Sequence, residues 1–152
     1  TSVPNRALKA ALMAHEMPEL ADHPTVRSEV KYGQNSRVDF LLSGNGPDLY
    51  VEVKSVTLSR KAGIAEFPDS VTARGTKHLH ELVEMTKSGH RALMFYLVQR
   101  TDAEVVTLAR DIDPTYAAAF DMALDAGVEV LAYDCQISPQ AITLGRPLPF
   151  RK

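Results

Sequence analysis

The order of the predicted elements indicates an α/β fold in which a mixed central sheet is flanked by helices. Two nearly continuous apolar runs, Arg91 to Val98 and Val128 to Tyr133, are typical of strands that are buried on both faces. Between them, Asp113 and Pro114 begin a helix as its cap and first-turn proline, and Gly127 ends it. A strand, a helix and a strand in this order form a crossover, so the two strands should be parallel.

An antiparallel hairpin is predicted upstream of the crossover. Residues Val26 to Tyr32 alternate in polarity and suit a strand, and Arg37 to Leu42 forms the next one. The turn cluster Ser43 to Asp48 separates that strand from Leu49 to Val56, which is rich in β-branched residues. Two strands this close along the chain pair as a hairpin. Residues Thr57 to Val71 are expected to form a long irregular loop.

The remaining elements complete the predicted order. Asn5 to His15 has apolar residues at helical spacing and forms the first helix. Thr72 caps a second helix that runs to Ser88 and ends at Gly89. Val105 to Ala109 is expected to be a short edge strand.

Length and composition restrict the class of protein. The chain has 152 residues, of which 45% are hydrophobic and 24% charged, so residues 1–152 suit a single globular domain and not a disordered or fibrous protein. The longest stretch without a charged residue, Cys135 to Gly145, is too short to span a bilayer. There is no signal-peptide pattern, and the single cysteine cannot form an intrachain disulfide. These features favour a cytoplasmic protein without a membrane partner.

The net charge of −2 hides an uneven distribution of charges along the chain. Residues 102–134 contain eight acidic residues and one basic residue. Residues 54–91 contain seven basic residues, four acidic residues and three histidines. A nearly neutral domain can therefore have one acidic face and one basic face, and the total charge does not exclude a nucleic-acid partner.

Two carboxylates are predicted to meet inside the hairpin. If Leu42 pairs with Leu49, the same register brings Asp39 opposite Glu52. Directly opposed residues have Cβ atoms about 5 Å apart, and two like charges at that distance repel each other. A divalent metal ion between them removes this cost, and Mg²⁺ is often held by one or two carboxylates together with substrate phosphate.

Lys54 lies two residues after Glu52 and projects from the same face of its strand. A lysine beside a metal can orient the attacking water and stabilise negative charge in phosphoryl chemistry. An Asp followed by Glu-x-Lys on a hairpin is the pattern of the PD-(D/E)xK nucleases. Glu29-Val30-Lys31 is a second acid-x-Lys match, but it lacks an upstream strand acid. Chance alone gives about one acid-x-Lys match in a chain of this composition. The alternative interpretation is therefore that Glu52 and Lys54 form a solvated ion pair on an outer face of the sheet.

Basic residues on either side of the hairpin suit phosphate. The same register places Arg37 opposite Lys54, and two adjacent cations favour an anion between them. One face of the helix after Thr72 carries Arg74, Lys77, His78 and Glu81 at i, i+3, i+4 and i+7 spacing, and its basic residues are candidates for phosphate contacts. The alternative is an ordinary solvated face on which Lys77 and Glu81 form a surface pair.

Four blocks of the sequence resemble the sugar fermentation stimulation protein A family. They are residues 33–42, 51–58, 67–79 and 112–133, with the last block matching at its two ends. The resemblance implies a restriction-endonuclease-like, PD-(D/E)xK core, preceded in the family by a small OB-fold domain that this chain lacks. It also implies links to DNA binding and to regulation of maltose utilisation. The family pattern places its acid pair and lysine on Asp39, Glu52 and Lys54, with Val38 where the superfamily name has proline.

These observations predict a metal-dependent DNA endonuclease or phosphodiesterase domain. Asp39, Glu52 and the Val53 carbonyl would hold Mg²⁺ or Mn²⁺, and Lys54 would position the hydrolytic water. The alternative is a non-catalytic DNA-binding regulator of sugar (maltose) metabolism that uses the nuclease fold; a homodimer is left open. The residues predicted to contact DNA line one cleft in this interpretation: Ser36, Arg37, Thr72, Arg74, Lys77 and His78.

Overall fold

The computed structural model describes residues 3–152, with side chains from residue 4 onward. The three α-helices are α1 (Val3–Met13), α2 (Ala73–Lys87) and α3 (Pro114–Asp125), and a single 3₁₀ turn follows α1 at Pro18–Leu20. The strands are β1 (Thr25–Tyr32), β2 (Ser36–Ser43), β3 (Leu49–Val56), β4 (Leu58–Lys61), β5 (Ile64–Phe67), β6 (Arg91–Val98), β7 (Val105–Leu108), β8 (Glu129–Ile137), β9 (Ile142–Leu148) and β10 (Phe150–Arg151).

The central sheet has six strands in the order β1-β2-β3-β6-β8-β9. Its middle strands β3, β6 and β8 are parallel, whereas β1, β2 and β9 pair antiparallel at the two sides. The predicted mixed sheet is confirmed, and so is the parallel pairing of β6 with β8 across the α3 crossover. None of the helices within residues 3–152 combines the length and the apolar character needed to span a bilayer.

Helices cover both faces of this sheet, which is why β6 is apolar throughout. Met94 and Tyr96 belong to a core shared with Leu79 and Leu82 of α2 and with α3. Phe95, their neighbour on the opposite face, belongs to a second core that includes residues of α1. Because successive side chains of a strand point to opposite faces, a central strand between two helical layers must be apolar at every position.

Capping interactions fix the start of α2 and α3 where the sequence predicts them. The Thr72 hydroxyl accepts a hydrogen bond from the Gly75 amide at 2.9 Å, and the Asp113 carboxylate accepts one from the Tyr116 amide at 2.9 Å. The other oxygen of Asp113 accepts from the Thr72 amide at 2.8 Å. One buried aspartate therefore caps its own helix and also holds the start of α2, which carries part of the site.

The loop predicted for residues 57–71 is wrong, because β4 and β5 form a hairpin there. These strands belong to a second sheet in the order β10-β7-β5-β4, in which β5 pairs parallel with β7. Its strands are only two to four residues long; β4 and β5 pair with each other, whereas β7 pairs with the distant strands β5 and β10. A local pattern does not reveal the pairings of β7 with β5 and β10, and this is why β10 was missed. The prediction also missed β9, which forms a hairpin with the adjacent strand β8.

The register of the β2–β3 hairpin is the predicted one. Leu42 pairs with Leu49, and Phe40 pairs with Val51. The loop between these strands passes so close to the preceding segment that a Cβ added to Gly44 would lie 2.2 Å from the Asp22 carbonyl oxygen. Glycine at this position therefore allows the hairpin to pack against the segment that follows the 3₁₀ turn.

Candidate metal and phosphate site

The site begins where the β2–β3 ladder ends. Within residues 3–152 this ladder runs from Phe40–Val51 to Leu42–Leu49, so the predicted direct pairing of Asp39 with Glu52 is wrong. Instead, Asp39 Oδ2 accepts a hydrogen bond from the Val53 amide at 2.8 Å. Asp39 Oδ1 accepts a second one from Asn5 Nδ2 at 2.8 Å. The Asp39 carboxylate thus accepts the hydrogen bond of the Val53 amide in place of a backbone carbonyl of β2, beyond the last pair of the ladder.

Glu52 is the most deeply buried carboxylate of the site, with 2% of its surface exposed. Burial and, after it, the negative charge of Asp39 together raise the pKa of Glu52 to about 8, against the opposing effect of Lys54. The Tyr32 hydroxyl donates a hydrogen bond to Glu52 Oε1 at 3.3 Å. Ionised Glu52 is costly in this buried position beside the like charge of Asp39. A cation bound between the two carboxylates would therefore be stabilised.

Lys54 and His78 face each other from β3 and α2. Lys54 Nζ lies 2.8 Å from His78 Nδ1, and the same ring nitrogen lies 3.3 Å from Glu52 Oε2. Burial lowers the pKa of His78 to about 4, helped by the positive charges of Lys54 and Arg74. The ring is therefore neutral at neutral pH, and Nδ1 accepts the hydrogen bond that the lysine donates. Burial also lowers the pKa of Lys54, while Glu52 and Asp39 oppose that shift.

These groups open into one cavity of about 710 Å³. Apart from Thr72, all of the residues that the sequence predicts for the site line it: Ser36, Arg37, Asp39, Glu52, Val53, Lys54, Arg74, Lys77 and His78. Carboxylates, a lysine and exposed cations thus share one space, to which β2, β3 and α2 contribute the predicted residues and α1 and β1 contribute others.

Two details of the basic residues differ from the prediction. Arg37 is paired across the sheet with Lys31 of β1 and not with Lys54, because the β2–β3 ladder stops before it reaches Arg37. Glu81 is 8% exposed, and neither of its carboxylate oxygens has a hydrogen-bond partner among the described residues. The alternative of an exposed Lys77–Glu81 surface pair is therefore wrong, and Lys77 remains available to an anion.

Thr72 lies outside the lining of the cavity. Its hydroxyl is engaged by the Gly75 amide and its own amide by Asp113, so it holds the end of the helix. A contact between Thr72 and DNA stays a prediction, whereas the position of Thr72 as a cap is established.

Three residues of the cavity were missed by reasoning from the sequence: Asn5, Glu29 and Asn35. Glu29 lies on β1 between Ser28 and Val30, which pair with Phe40 and Val38 on either side of Asp39. Its backbone has φ +57°, a left-handed conformation that residues other than glycine rarely adopt. The acid-x-Lys match at Glu29 marked this residue in the sequence, but only the pairing of β1 with β2 places its carboxylate in the cavity that Asp39 also lines.

The donor set of the cavity fits a hard divalent cation. Among the described residues, no group of three or more His, Cys, Asp or Glu side chains is arranged to hold a metal ion. Two neighbouring carboxylates, Asp39 and Glu52, are nevertheless what Mg²⁺ typically takes from a protein, with waters and substrate phosphate completing its shell. The repulsion that raises the pKa of Glu52 is the cost such a cation would remove.

The fold is of the restriction-endonuclease-like α/β class, built on a mixed central sheet flanked by helices. Residues 2–141 match the family described as the sugar fermentation stimulation protein RE domain. The chain belongs to the sugar fermentation stimulation protein family.

Relatives support this assignment along nearly the whole chain. The sugar fermentation stimulation protein homolog of Roseobacter denitrificans is 64% identical over 99% of this chain and 65% of its own length. The homolog of Ruegeria pomeroyi is 65% identical over 95% of this chain and 63% of its own length. The chain therefore spans slightly less than two thirds of the length of these relatives.

A solved structure has the same fold. SfsA of Pyrococcus furiosus, determined in complex with Ca²⁺, superposes with a TM-score of 0.89 at 26% sequence identity. The match covers 98% of this chain and 64% of that one. The fold described above is thus the fold of an experimentally determined member of the family.

Proposed function

We propose that this domain is a divalent-metal-dependent DNA phosphodiesterase that cleaves within its substrate. The observation that carries the proposal is the convergence of Asp39, Glu52 and Lys54 in one cavity whose rim carries the exposed cations Arg37, Arg74 and Lys77. A protein that only binds DNA has no use for two carboxylates that face the phosphates, since they repel them.

Asp39, Glu52 and the Val53 carbonyl would hold Mg²⁺ or Mn²⁺. The complex of Pyrococcus furiosus SfsA with Ca²⁺ supports a divalent cation in this family, although Ca²⁺ and Mg²⁺ differ in the geometry they require. When bound, such an ion supplies Lewis acidity and lowers the pKa of a bound water. In the protein itself, Asn5 and the Val53 amide orient Asp39, and the Tyr32 hydroxyl orients Glu52.

Lys54 would act on the hydrolytic water and on the charge that develops on the phosphate. Its lowered pKa results from burial, and a less strongly protonated amine exchanges protons more readily near neutral pH. The contact with His78 keeps Nζ on the side of Glu52. Whichever protonation state carries the reaction, the amine stays within reach of a phosphate bound between the carboxylates and the basic rim.

Arg37, Arg74 and Lys77 would bind the phosphates on either side of the cleaved bond. The three side chains are exposed and none has a carboxylate partner within residues 3–152. Free cations are the usual contacts to the nucleic-acid backbone, which they position without reading the sequence. Ser36, buried at the wall of the cavity, would complete these contacts.

The test is cleavage of DNA by the purified protein with Mg²⁺ or Mn²⁺, compared with Asp39→Ala and Lys54→Ala. Both variants should lose cleavage while their circular dichroism spectra remain those of the wild type. Glu84→Ala and Lys87→Ala are matched controls, because these exposed residues of α2 lie outside the cavity and should leave cleavage unchanged. Cleavage that survives in Asp39→Ala would contradict the proposal.

The competing function is a DNA-binding regulator of sugar metabolism, which the family name favours. It predicts that the wild type binds DNA but cleaves none with any divalent metal. In that case Asp39→Ala should bind DNA more tightly than the wild type, since a negative charge facing the phosphates has been removed.

A further inference from the structure

The central cavity continues in both directions beyond the carboxylates. On the side of α1 it meets a cavity of about 260 Å³, which shares Asn5, Glu29 and Asp39 with it. On the side of the β1–β2 turn it meets one of about 480 Å³, whose shared residues are Asn35, Ser36 and Arg37. Cavities that share walls in this way form one groove, and the carboxylates lie in its middle section.

Both outer sections of this groove carry cations. Arg6 and Lys9 of α1 line the section on one side, and Lys31 lines the section on the other. All three side chains belong to exposed residues. The groove therefore has positive charge at both ends as well as beside the carboxylates.

The distribution of ion pairs points to the same surface. Five arginines are paired with carboxylates, and none of them lines the groove: Arg60, Arg91, Arg100, Arg110 and Arg146. In contrast, the three arginines that line the groove, Arg6, Arg37 and Arg74, have no carboxylate partner among the described residues; Arg27 and Arg151, outside the groove, have none either. Every arginine of the groove thus has its charge unpaired within residues 3–152, and a path lined by unpaired cations attracts a polyanion.

The packing of α1 holds Arg6 and Lys9 toward this path. Leu8 and Leu12 are buried in the core beneath the sheet, whereas Arg6 and Lys9, three residues apart, lie on the exposed face. Side chains three residues apart in a helix are neighbours, so the two cations act together. Asn5 of the same helix binds Asp39, which links this pair directly to the site.

We infer that Arg6 and Lys9 form a further binding site for backbone phosphates, so that a DNA strand lies through the whole groove with nucleotides on both sides of the carboxylates. Lys31 binds the strand where it leaves over the β1–β2 turn. This inference rests on the proposed function and specifies its substrate as an internal segment of a polynucleotide. A terminal phosphate would need only the central section of the groove.

The test is binding of fluorescently labelled DNA by anisotropy, with Ca²⁺ replacing the metal that supports cleavage. The double variant Arg6→Gln/Lys9→Gln should bind about tenfold or more weakly, and its slope of log K against log salt should be shallower by about 1.4 for single strands or 1.8 for duplex. Lys61→Gln/Lys87→Gln removes two exposed charges outside the groove and should match the wild type.

The outcomes separate this inference from the proposed function. A wild type that binds no DNA contradicts the proposed function itself. A wild type that binds DNA, together with an Arg6→Gln/Lys9→Gln variant that retains its affinity and salt slope, overturns only the inference. Equal losses in the two double variants also overturn it, because the effect would then be one of total charge.

A second measurement uses cleavage. The wild type should cut covalently closed circular DNA, and Arg6→Gln/Lys9→Gln should raise the KM for it while kcat changes little. Degradation of linear DNA alone, from its ends, would contradict a strand that passes through the groove.

Discussion

The imidazole Nδ1 of His78 lies 2.8 Å from the ammonium nitrogen of Lys54. One residue is on α2 and the other on β3, so this contact joins the two elements that form the walls of the cavity. His78 is 6% exposed and burial keeps its pKa near 4, which leaves a neutral ring that accepts from the lysine. The contact with DNA predicted for His78 stays a prediction, and its contact with Lys54 allows a second role, that of positioning the lysine.

We therefore expect His78→Leu to lower kcat by about 10–100-fold, the usual cost of losing a residue that orients a catalytic group. KM should change little, because Arg37, Arg74 and Lys77 still bind the phosphates. His78→Asn places an amide oxygen close to the former Nδ1 position and should recover part of kcat. Steady-state kinetics on a DNA substrate measures both values. A raised KM with an unchanged kcat would instead indicate that His78 contacts DNA.

Binding of a divalent metal should release protons near neutral pH. The pKa of Glu52 is raised to about 8 by burial and by Asp39, so a ligand that needs the carboxylate must displace a proton. Calorimetric titration with Mn²⁺ at about pH 7, in buffers with different ionisation enthalpies, should show release of about one proton per ion. Affinity should rise with pH up to about 8 and then level off. Binding without proton release would contradict the assignment of Glu52 as a ligand.

The raised pKa of the Glu52 carboxyl should also make the metal-free protein less stable as pH rises. The unfolded chain holds Glu52 at its ordinary pKa of 4.5, and the folded chain raises it to about 8. Between these values the folded state binds a proton that the unfolded state does not. The contribution of Glu52 is thus fully present below pH 4.5 and is lost as pH rises through about 8.

Glu52→Gln removes this dependence, and urea unfolding in the presence of a chelator measures it. The difference in free energy of unfolding between the variant and the wild type should grow in favour of the variant by up to about 1.4 kcal/mol per pH unit in this range. Glu84→Gln, at an exposed position of α2, should show no such trend. A constant difference for Glu52→Gln at all pH values would show that its pKa is not raised.

The β2–β3 loop offers a test of how the hairpin is held. A side chain at Gly44 would meet the Asp22 backbone, whereas one at Gly46 would meet nothing within 4 Å but would adopt φ +95°. We expect Gly46→Asn to cost less stability than Gly46→Ala, since asparagine tolerates positive φ better. At Gly44 asparagine should cost at least as much as alanine, about 1–3 kcal/mol, because the obstacle there is volume. Thermal unfolding of the four variants distinguishes the two causes, and the same order of costs at both positions would contradict this account.

Much of the fold was predictable because it depends on local patterns. The apolar runs of β6 and β8, the caps Thr72 and Asp113, and the register of Leu42 with Leu49 were all predicted and are confirmed. Of the second sheet only β7 was predicted, as a short edge strand, and its parallel pairings with β5 and β10 join segments far apart in sequence. Local propensity carries no record of such partners.

The candidate site divides in the same way. The alternation of a strand placed Glu52 and Lys54 on one face, and the order of the residues singled out Asp39. The positions of Asn5 and Glu29 depend on α1 and β1 reaching the end of the β2–β3 ladder. The distance between Lys54 and His78 depends on how α2 packs on β3.

The sequence by itself thus determined the three helices, the strands β1, β2, β3, β6, β7 and β8, the hairpin register and the choice of the three central residues, because periodicity and spacing act over a few residues. Only the tertiary structure decided that Asp39 binds the Val53 amide in place of a direct pairing with Glu52. It also decided that three cavities join into one groove. Both depend on burial and on contacts between distant segments, and these exist only after the chain has folded.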